Sequence, residues 1–310
     1  MKKIILTTSI LLLTISSVFS QTSEVGKKYI YEFRDGTTII GTYDRSEEGN
    51  IYIIDLEGEE VYIPKVMVAQ IHAVTDDNMK NGEFWFPNLH DSRYFFSPSA
   101  FGLNQGEGYF GHSYWTLWQV QFGITDDFSI GGGTTPFGYP ATLNAKYSFN
   151  IKDDINAAMG WFWIGDLFGW TGDQIGSLVN MPYTVATKGT RENNVSLGMG
   201  YNLSTPFNND DLITENKLIL SKERLVLNIG GTFRASRRFS LVFEGWLLNG
   251  DGEFQLMGGP GIRYFRKINR VTANNGAGAK TFDFQLMHFP GMGDGGLPGF
   301  FPMIGASQKF

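Results

Sequence analysis

The neighbouring pair His112-Ser113, with Glu107 shortly before it, is the one place in this sequence that suggests nucleophilic catalysis. A hydrolase of this kind needs the serine hydroxyl within hydrogen-bond reach of the histidine ring. The flanking residues alternate as in a β-strand, where adjacent side chains point to opposite faces, so the two side chains are not expected to meet. A hydrolase is therefore an alternative rather than the main prediction.

Metal and phosphate chemistry has little support. The chain has no cysteine, and its four histidines do not have the spacing of metal ligands. They are His72, His90, His112 and His288. The glycine runs at 131–133 and 258–261 lack the Gly-Lys-Ser/Thr ending and the following helix of a phosphate loop. The sequence thus predicts no catalytic residues, no metal and no cofactor.

The composition excludes several classes. The 310 residues include 39 glycines and are 15% aromatic, but no G-X-Y period is present, which excludes collagen. The aromatic content is too high for a disordered chain, and the net charge of −6 argues against a nucleic-acid partner. What remains is a folded chain of near-neutral mean hydropathy (−0.14).

Residues 1–20 are typical of a secretory signal peptide. Lys2 and Lys3 precede a largely apolar stretch that ends in small residues, with cleavage expected after Ser20. No run of 18 apolar residues follows, so no transmembrane helix is expected. An exported chain without such a helix is either a soluble protein or a closed membrane barrel.

Residues 26–75 predict five short strands separated by turns such as Asp35-Gly36, and residues 76–90 predict a linker. Several positions of this segment resemble Sm-like or SH3-like small β-barrels: Asp35-Gly36-Thr37, Gly41, Ile51-Tyr52-Ile53, Gly58, Ile63-Pro64 and Ile71. Because the segment is acidic and exported, RNA binding is not expected of it. It is predicted to be a periplasmic interaction module.

The rest of the chain, residues 91–310, alternates over long segments. In residues 195–203, for example, Val195 and Leu197 share one face, whereas Ser196 and Gly198 share the other. Most such segments have the length of a tilted membrane strand. The aromatic clusters at 109–115 and 161–163 are expected to form interfacial girdles.

The strand count predicts a barrel of about twelve strands. Eleven segments are clear: 109–124, 128–138, 140–150, 154–165, 177–188, 194–203, 223–234, 238–247, 254–265, 280–289 and 300–310. Short and long connections alternate, as periplasmic turns and external loops do. A periplasmic N-terminal module then requires one earlier strand, for which residues 94–101 are the candidate.

Charges on the polar faces are expected to face the lumen, because charge on a lipid face is costly. The candidates are Lys146, Arg234, Glu244, Arg263 and Asp283. They predict either a pore lining or an internal ion-pair network, and their mixed sign favours the network. Twelve strands lie between the packed eight-stranded barrel and the aqueous sixteen-stranded porin, so a narrow or plugged lumen is expected.

The C-terminal Phe310 resembles the assembly signal of bacterial outer-membrane barrels, with Gln308 departing from that pattern. Three blocks resemble the outer-membrane β-barrel proteins of Bacteroidetes-type bacteria: residues 94–101, 105–109 and 122–133. The resemblance implies a location in the outer membrane and an all-β, transmembrane antiparallel barrel. It implies no reaction and no ligand.

Together these observations predict an outer-membrane barrel with a structural or narrow-pore role. Expected partners are outer-membrane lipid, the barrel assembly machinery and a periplasmic protein bound by residues 26–75, with no nucleic acid. Two alternatives stay open: an outer-membrane lipid-modifying hydrolase, and a soluble β protein secreted to the periplasm.

Overall fold

The computed structural model describes a chain of strands in two compact units. The described residues are 23–35, 37–74, 79–80, 83–114, 117–167, 177–203, 225–250, 253–266, 280–289 and 299–310. The predicted signal peptide lies outside them, as does Gly36 of the predicted turn. None of the helical residues among them forms a helix long and apolar enough to cross a membrane.

The first unit is a five-stranded antiparallel sheet. Its elements are β1 (Lys28–Phe33), β2 (Thr38–Glu47), β3 (Asn50–Asp55), β4 (Glu60–Pro64), a 3₁₀ turn (Lys65–Met67) and β5 (Val68–Ala73), in the order β4-β3-β2-β1-β5. Its core contains the fully buried Ile30 and Ile53. Gly41 is required there, because a Cβ on it would lie 2.6 Å from Ile53 Cδ1.

Between this sheet and the barrel, β6 (Met79–Lys80) and β7 (Glu83–Phe84) form a two-stranded sheet within the predicted linker. The twelve strands that follow form one closed antiparallel barrel. They are β8 (Gly108–Ser113), β9 (Leu117–Gly123), β10 (Phe128–Thr134), β11 (Ala141–Lys152), β12 (Ile155–Gly165), β13 (Ser177–Gly189), β14 (Asn193–Tyr201), β15 (Leu225–Arg234), β16 (Phe239–Gly250), β17 (Glu253–Arg266), β18 (Lys280–His288) and β19 (Phe300–Lys309). Each pairs with the next, and β19 pairs with β8.

The predicted number of strands is confirmed, but two of the predicted strands are wrong. Residues 109–124 form two strands, β8 and β9, because the chain reverses at Tyr114, whose φ is +51°. Residues 94–101 form no barrel strand. Their main-chain groups bond locally, as in the Tyr94 N–H to Ser97 carbonyl bond of 2.9 Å, or bond to side chains of the barrel.

The alternation of strand directions gives the barrel two different ends. The turn end is where β9 and β10, β11 and β12, β13 and β14, β15 and β16, and β17 and β18 follow each other in the chain, and it includes Gly108 and Phe310. The loop end is the opposite end, where the other consecutive strand pairs, from β8 and β9 to β18 and β19, follow each other. Four of the five connections at the turn end are short, as predicted; the fifth, 267–279, is long.

The outer face of the barrel is apolar. Large side chains point outward and are at least two-fifths exposed on strands throughout the barrel: Phe122, Ile130, Tyr147, Leu197, Ile229, Phe233, Leu241, Leu256, Phe284 and Ile304. The inner face carries the polar residues of the same strands. This is the reverse of a water-soluble sheet, which turns its apolar face to a core.

Candidate functional site in the barrel lumen

Residues 86–103, here called the plug, lie inside the barrel. Most of these residues are buried and none is exposed, and they contact strands on opposite sides of the wall, including β11, β13, β16 and β19. The plug includes the end of the predicted linker and the segment predicted as the first strand. Its backbone is satisfied by the inward side chains of the barrel rather than by a neighbouring strand.

Lys146 on β11 holds the middle of the plug. Its Nζ donates to three plug carbonyls, those of Ser92 at 2.9 Å, Ser99 at 3.1 Å and Phe101 at 2.7 Å. An ammonium group has three donors, so all of its hydrogen-bonding capacity is used. The residue is 4% exposed, which means that these bonds replace its hydration.

Glu244 on β16 holds the opposite side of the plug. Its Oε2 accepts backbone N–H bonds from Phe95 at 3.1 Å, Phe96 at 3.0 Å and Ser97 at 3.0 Å. The Ser97 hydroxyl donates to the same oxygen at 3.0 Å, and Trp246 Nε1 donates to Oε1 at 3.3 Å. One carboxylate thus caps three consecutive plug amides, which fixes the turn at this point.

Arg263 on β17 and Asp283 on β18 form a buried ion pair. Arg263 Nε lies 2.9 Å from Asp283 Oδ1, and an Nη nitrogen lies 3.0 Å from Oδ2, a two-point contact. The guanidinium also donates to the His90 carbonyl at 2.8 Å and to the Tyr94 carbonyl. Arg263 therefore links the plug to the wall, with Asp283 neutralising its charge.

Arg234, the last residue of β15, contacts the start of the plug. Its guanidinium carbon lies 3.8 Å from the ring centre of Phe265 and 5.0 Å from that of Phe86, whose carbonyl it also contacts at 3.2 Å. Glu192 lies 3.5 Å away in the turn between β13 and β14. Burial raises the pKa of Glu192, and Arg234 opposes this effect.

The structure therefore places all five predicted charged residues inside the barrel, and four of them bond to the plug directly. Sequence reasoning missed the charged side chains that the plug itself supplies to these contacts. Asp91 pairs with Arg191, an ion pair that raises the pKa of Arg191, and Arg93 donates to Ser307 on β19. The run Asp91-Ser92-Arg93 could have indicated these contacts. Charged residues directly before a predicted strand need partners if they are buried.

A cavity of about 140 Å³, here called the upper cavity, lies on the loop-end side of the plug. Its floor includes Phe96, Pro98 and Leu103, and its walls include Gln119, Asn144, Phe162, Met181, Val226, Asn228 and Trp246. The expectation that residues 109–115 and 161–163 all form girdles is wrong in part. Phe162 lines this cavity, and the buried Tyr109 lies under the guanidinium of Arg93 at 4.7 Å.

His112 and Ser113, the pair behind the hydrolase alternative, lie on β8. His112 is paired in register with Ala306 and Trp118, and Ser113 with Gly305 and Leu117. Their adjacent places in one strand direct the two side chains to opposite faces. Among the described residues no cluster of three histidine or acidic side chains has metal-site geometry.

The chain terminus closes the barrel. Phe310 and Gly108 exchange two backbone hydrogen bonds, of 2.8 and 2.9 Å. The Phe310 ring stands against Phe122 at 5.8 Å and occupies the space beside Gly108, where a Cβ would lie 2.7 Å from it. The role of Phe310 as an assembly signal stays a prediction.

The turn end also carries an ion pair whose strength depends on pH. Burial alone would raise the pKa of Glu107, but Lys309 Nζ at 2.9 Å and the Asn104 N–H at 2.9 Å outweigh it, so the pKa lies below the usual 4.5. A lowered pKa favours folding when the carboxyl is ionised. This contribution is complete above the usual pKa and is lost as the pH falls through the folded value.

We expect the free energy of unfolding to fall as the pH drops below the usual glutamate pKa of 4.5 and through the lower folded value, with less than about 1 kcal/mol of that fall due to this pair. Lys309→Met should flatten the acid side of the profile by that amount. Urea titrations at several pH values measure it. Parallel profiles for the two proteins would remove Lys309 as the cause.

No protein-family model and no curated protein matches this sequence. Solved structures that it is similar to include the KdgM porin in complex with disordered oligogalacturonate (8% identity, TM-score 0.42) and the NanC porin (12%, 0.40), each covering 66% of this chain and 98% of its own. The OccK10 (OpdN) structure from Pseudomonas aeruginosa has 10% identity and a TM-score of 0.34, covering 92% and 97%. The class of this protein is defined by its own strand pairing: it is a closed twelve-stranded antiparallel barrel. Within that class, it is a barrel filled by a segment of its own chain.

Proposed function

We propose that this protein is an outer-membrane barrel whose lumen is sealed by its own plug, with a structural role rather than that of an open channel. The observation that carries the proposal is the set of buried bonds from Lys146, Glu244 and Arg263 to the plug backbone. They lie on three strands around the wall. We expect a segment held from several sides to block a continuous aqueous path.

The apolar outer face supports placement in a membrane. A closed barrel has no unpaired strand edge, which is the condition for crossing lipid with strands. Its strands of up to 14 residues are long enough for a tilted membrane strand. An exterior of this kind in water would expose a larger apolar patch than soluble proteins carry.

The short connections at the turn end support an orientation with that end in the periplasm, because outer-membrane barrels have short periplasmic turns and longer external loops. Phe86 is bonded by Arg234 at the turn end of β15, so the chain enters the lumen from that side. The five-stranded module precedes this point in the chain. We therefore infer a periplasmic module that binds a protein partner there.

Planar-bilayer recordings test the sealed lumen. We expect no conductance steps from the wild-type protein, and clear steps when residues 87–103 are replaced by a Gly-Ser segment of equal length, because the wall contacts of the plug are then lost. Both proteins should be prepared from a host without porins, so that contaminating channels cannot explain the difference. Steady wild-type conductance would replace the sealed barrel with a narrow pore.

Substitutions on the outer face test the membrane placement. Leu197 is 64% exposed and lies in the middle of β14, whereas Phe233 is 59% exposed and lies near the turn end. Leu197→Lys should cost about 2–4 kcal/mol of folding free energy in lipid vesicles, and Phe233→Lys about 0–1 kcal/mol. Urea titrations in vesicles measure both. Equal costs, with the protein soluble without detergent, would favour the secreted soluble alternative.

A further inference from the structure

The wall of the upper cavity combines an apolar patch with amide side chains. The apolar patch includes Phe162, the buried Met181 and Val226, and Trp246. This patch is unusual, because the other inward faces of the barrel are mainly polar. A cluster of inward apolar side chains continues behind it toward the loop end, with Val179 and Leu248 at 5% exposure. An apolar patch inside a polar lumen favours an apolar ligand over water.

Amide side chains lie among these apolar ones, and Asn228 on β15, which pairs in register with Trp246, is the most informative. It is 7% exposed, and its Nδ2 donates to the Gly245 carbonyl at 3.0 Å. Its Oδ1 is buried and accepts no hydrogen bond from the described residues. Gly198, which also lines the cavity, leaves space beside this oxygen, since a Cβ there would lie 3.6 Å from it. A ligand with one donor would satisfy this acceptor.

The charges around the cavity favour a neutral ligand. Only two charged side chains line it, Arg93 and Lys146, among the residues that the structure describes. The three donors of Lys146 are all used by plug carbonyls. Arg93 donates to the Phe95 carbonyl and to Ser307, and its buried Nε has no hydrogen-bond partner among the described residues. An anion could therefore reach only this one Nε without displacing a bond, and a cation would meet no carboxylate there.

We propose that the upper cavity binds one neutral, ring-sized apolar molecule bearing a hydroxyl group, a phenol being the simplest case. The ring lies against Phe162, Met181 and Trp246, and the hydroxyl donates to Asn228 Oδ1. The volume of about 140 Å³ is close to that of an engineered cavity in another protein, of about 150 Å³, that binds benzene. This binding function goes beyond the structural role proposed above and does not require an open lumen.

Fluorine NMR of the full-length protein in lipid nanodiscs tests the site, with empty nanodiscs subtracting partition into lipid. We expect saturable binding of para-fluorophenol and much weaker binding of para-fluorobenzoate. Gly198→Leu should weaken the binding of para-fluorophenol by at least about tenfold, because the new side chain fills the cavity. Ala157→Leu is the matched control, since Ala157 lies on the outward face of β12 with the exposed Met159 and Trp161 and does not line the cavity.

A second variant tests the hydrogen bond itself and does not depend on the folding of Gly198→Leu. Asn228→Leu should reduce the preference for para-fluorophenol over fluorobenzene about fivefold, while fluorobenzene still binds. The proposal is overturned if the wild type shows no saturable binding above empty nanodiscs, or if Gly198→Leu binds para-fluorophenol like Ala157→Leu. Equal binding of para-fluorobenzoate, or an unchanged preference in Asn228→Leu, overturns the assigned ligand chemistry.

Discussion

Replacement of Glu244 by alanine is expected to release the plug while the barrel wall stays folded. Three consecutive backbone amides and one hydroxyl then lose their acceptor. The site is shielded from water, since Glu244 is 2% exposed. Each buried donor left unsatisfied costs about 1–3 kcal/mol. Because the four donors share one oxygen and relax together, we expect a loss of about 3–5 kcal/mol in the local stability of the plug.

Trypsin cleavage after Arg93 measures this release. Arg93 is 7% exposed and held by its contacts to Phe95, Ser307 and Tyr109, so the wild-type protein is protected at this bond. A loss of about 3 kcal/mol in local stability raises the open population, and with it the cleavage rate, about hundredfold. Mass spectrometry of the fragments identifies the bond cut.

Glu244→Gln is the matched control for this experiment. It keeps the shape of the side chain and one acceptor oxygen but removes the charge, so cleavage should be intermediate between the wild type and Glu244→Ala. The heat-dependent gel shift of the barrel should be nearly unchanged in both variants. If Glu244→Ala is cut after Arg93 no faster than the wild type, the carboxylate is not what holds the plug.

The barrel wall was predictable because alternation is a local property of the sequence. Segments such as 195–203 carry apolar residues on one face and small or polar residues on the other, and this pattern separates Leu197 from Ser196. Strand length and aromatic clusters then favoured a barrel with Leu197 outside, where the structure places it. The charged candidates followed from the same rule. Their position on the inner face needed no knowledge of what they would contact.

The plug was not predictable in this way. Residues 94–101 are rich in aromatic side chains, which favours a strand. Whether such a segment forms a strand depends on backbone hydrogen bonds to a neighbouring strand. Here the partners are side chains far along the chain, Lys146 and Glu244 among them. The turn at Tyr114 was missed because no Gly or Pro marks it. Both errors concern pairing, which local patterns do not specify.

The upper cavity shows a third limit of alternation. In residues 161–163 all three side chains are aromatic, so the pattern does not say which of them faces inward. Register decides it: Phe162 pairs with Asn144 and Met181, and all three line the cavity. The apolar patch is therefore a property of the closed barrel, visible only once the strands are aligned.

The second large effect is expected at the ion pair between β17 and β18. Arg263→Met should lower the free energy of unfolding by about 3–5 kcal/mol, because it leaves Asp283 as an unpaired buried charge. It also removes the donor to the carbonyls of His90 and Tyr94. The arginine is 1% exposed, so water does not readily replace these bonds.

The double variant Arg263→Met with Asp283→Leu separates the charge from the plug contacts. Removing both charges restores the free energy of unfolding that Arg263→Met loses through the unpaired carboxylate. The double variant should therefore be more stable than Arg263→Met alone. The remaining deficit measures the two plug carbonyls. Urea titrations in vesicles give the free energies of unfolding, and the rate of cleavage after Arg93 reports the release of the plug separately.

A double variant as unstable as the sum of the two single variants would show that the charges do not act as a pair. Full recovery of stability together with fast cleavage would instead assign Arg263 to holding the plug and Asp283 to neutralising it.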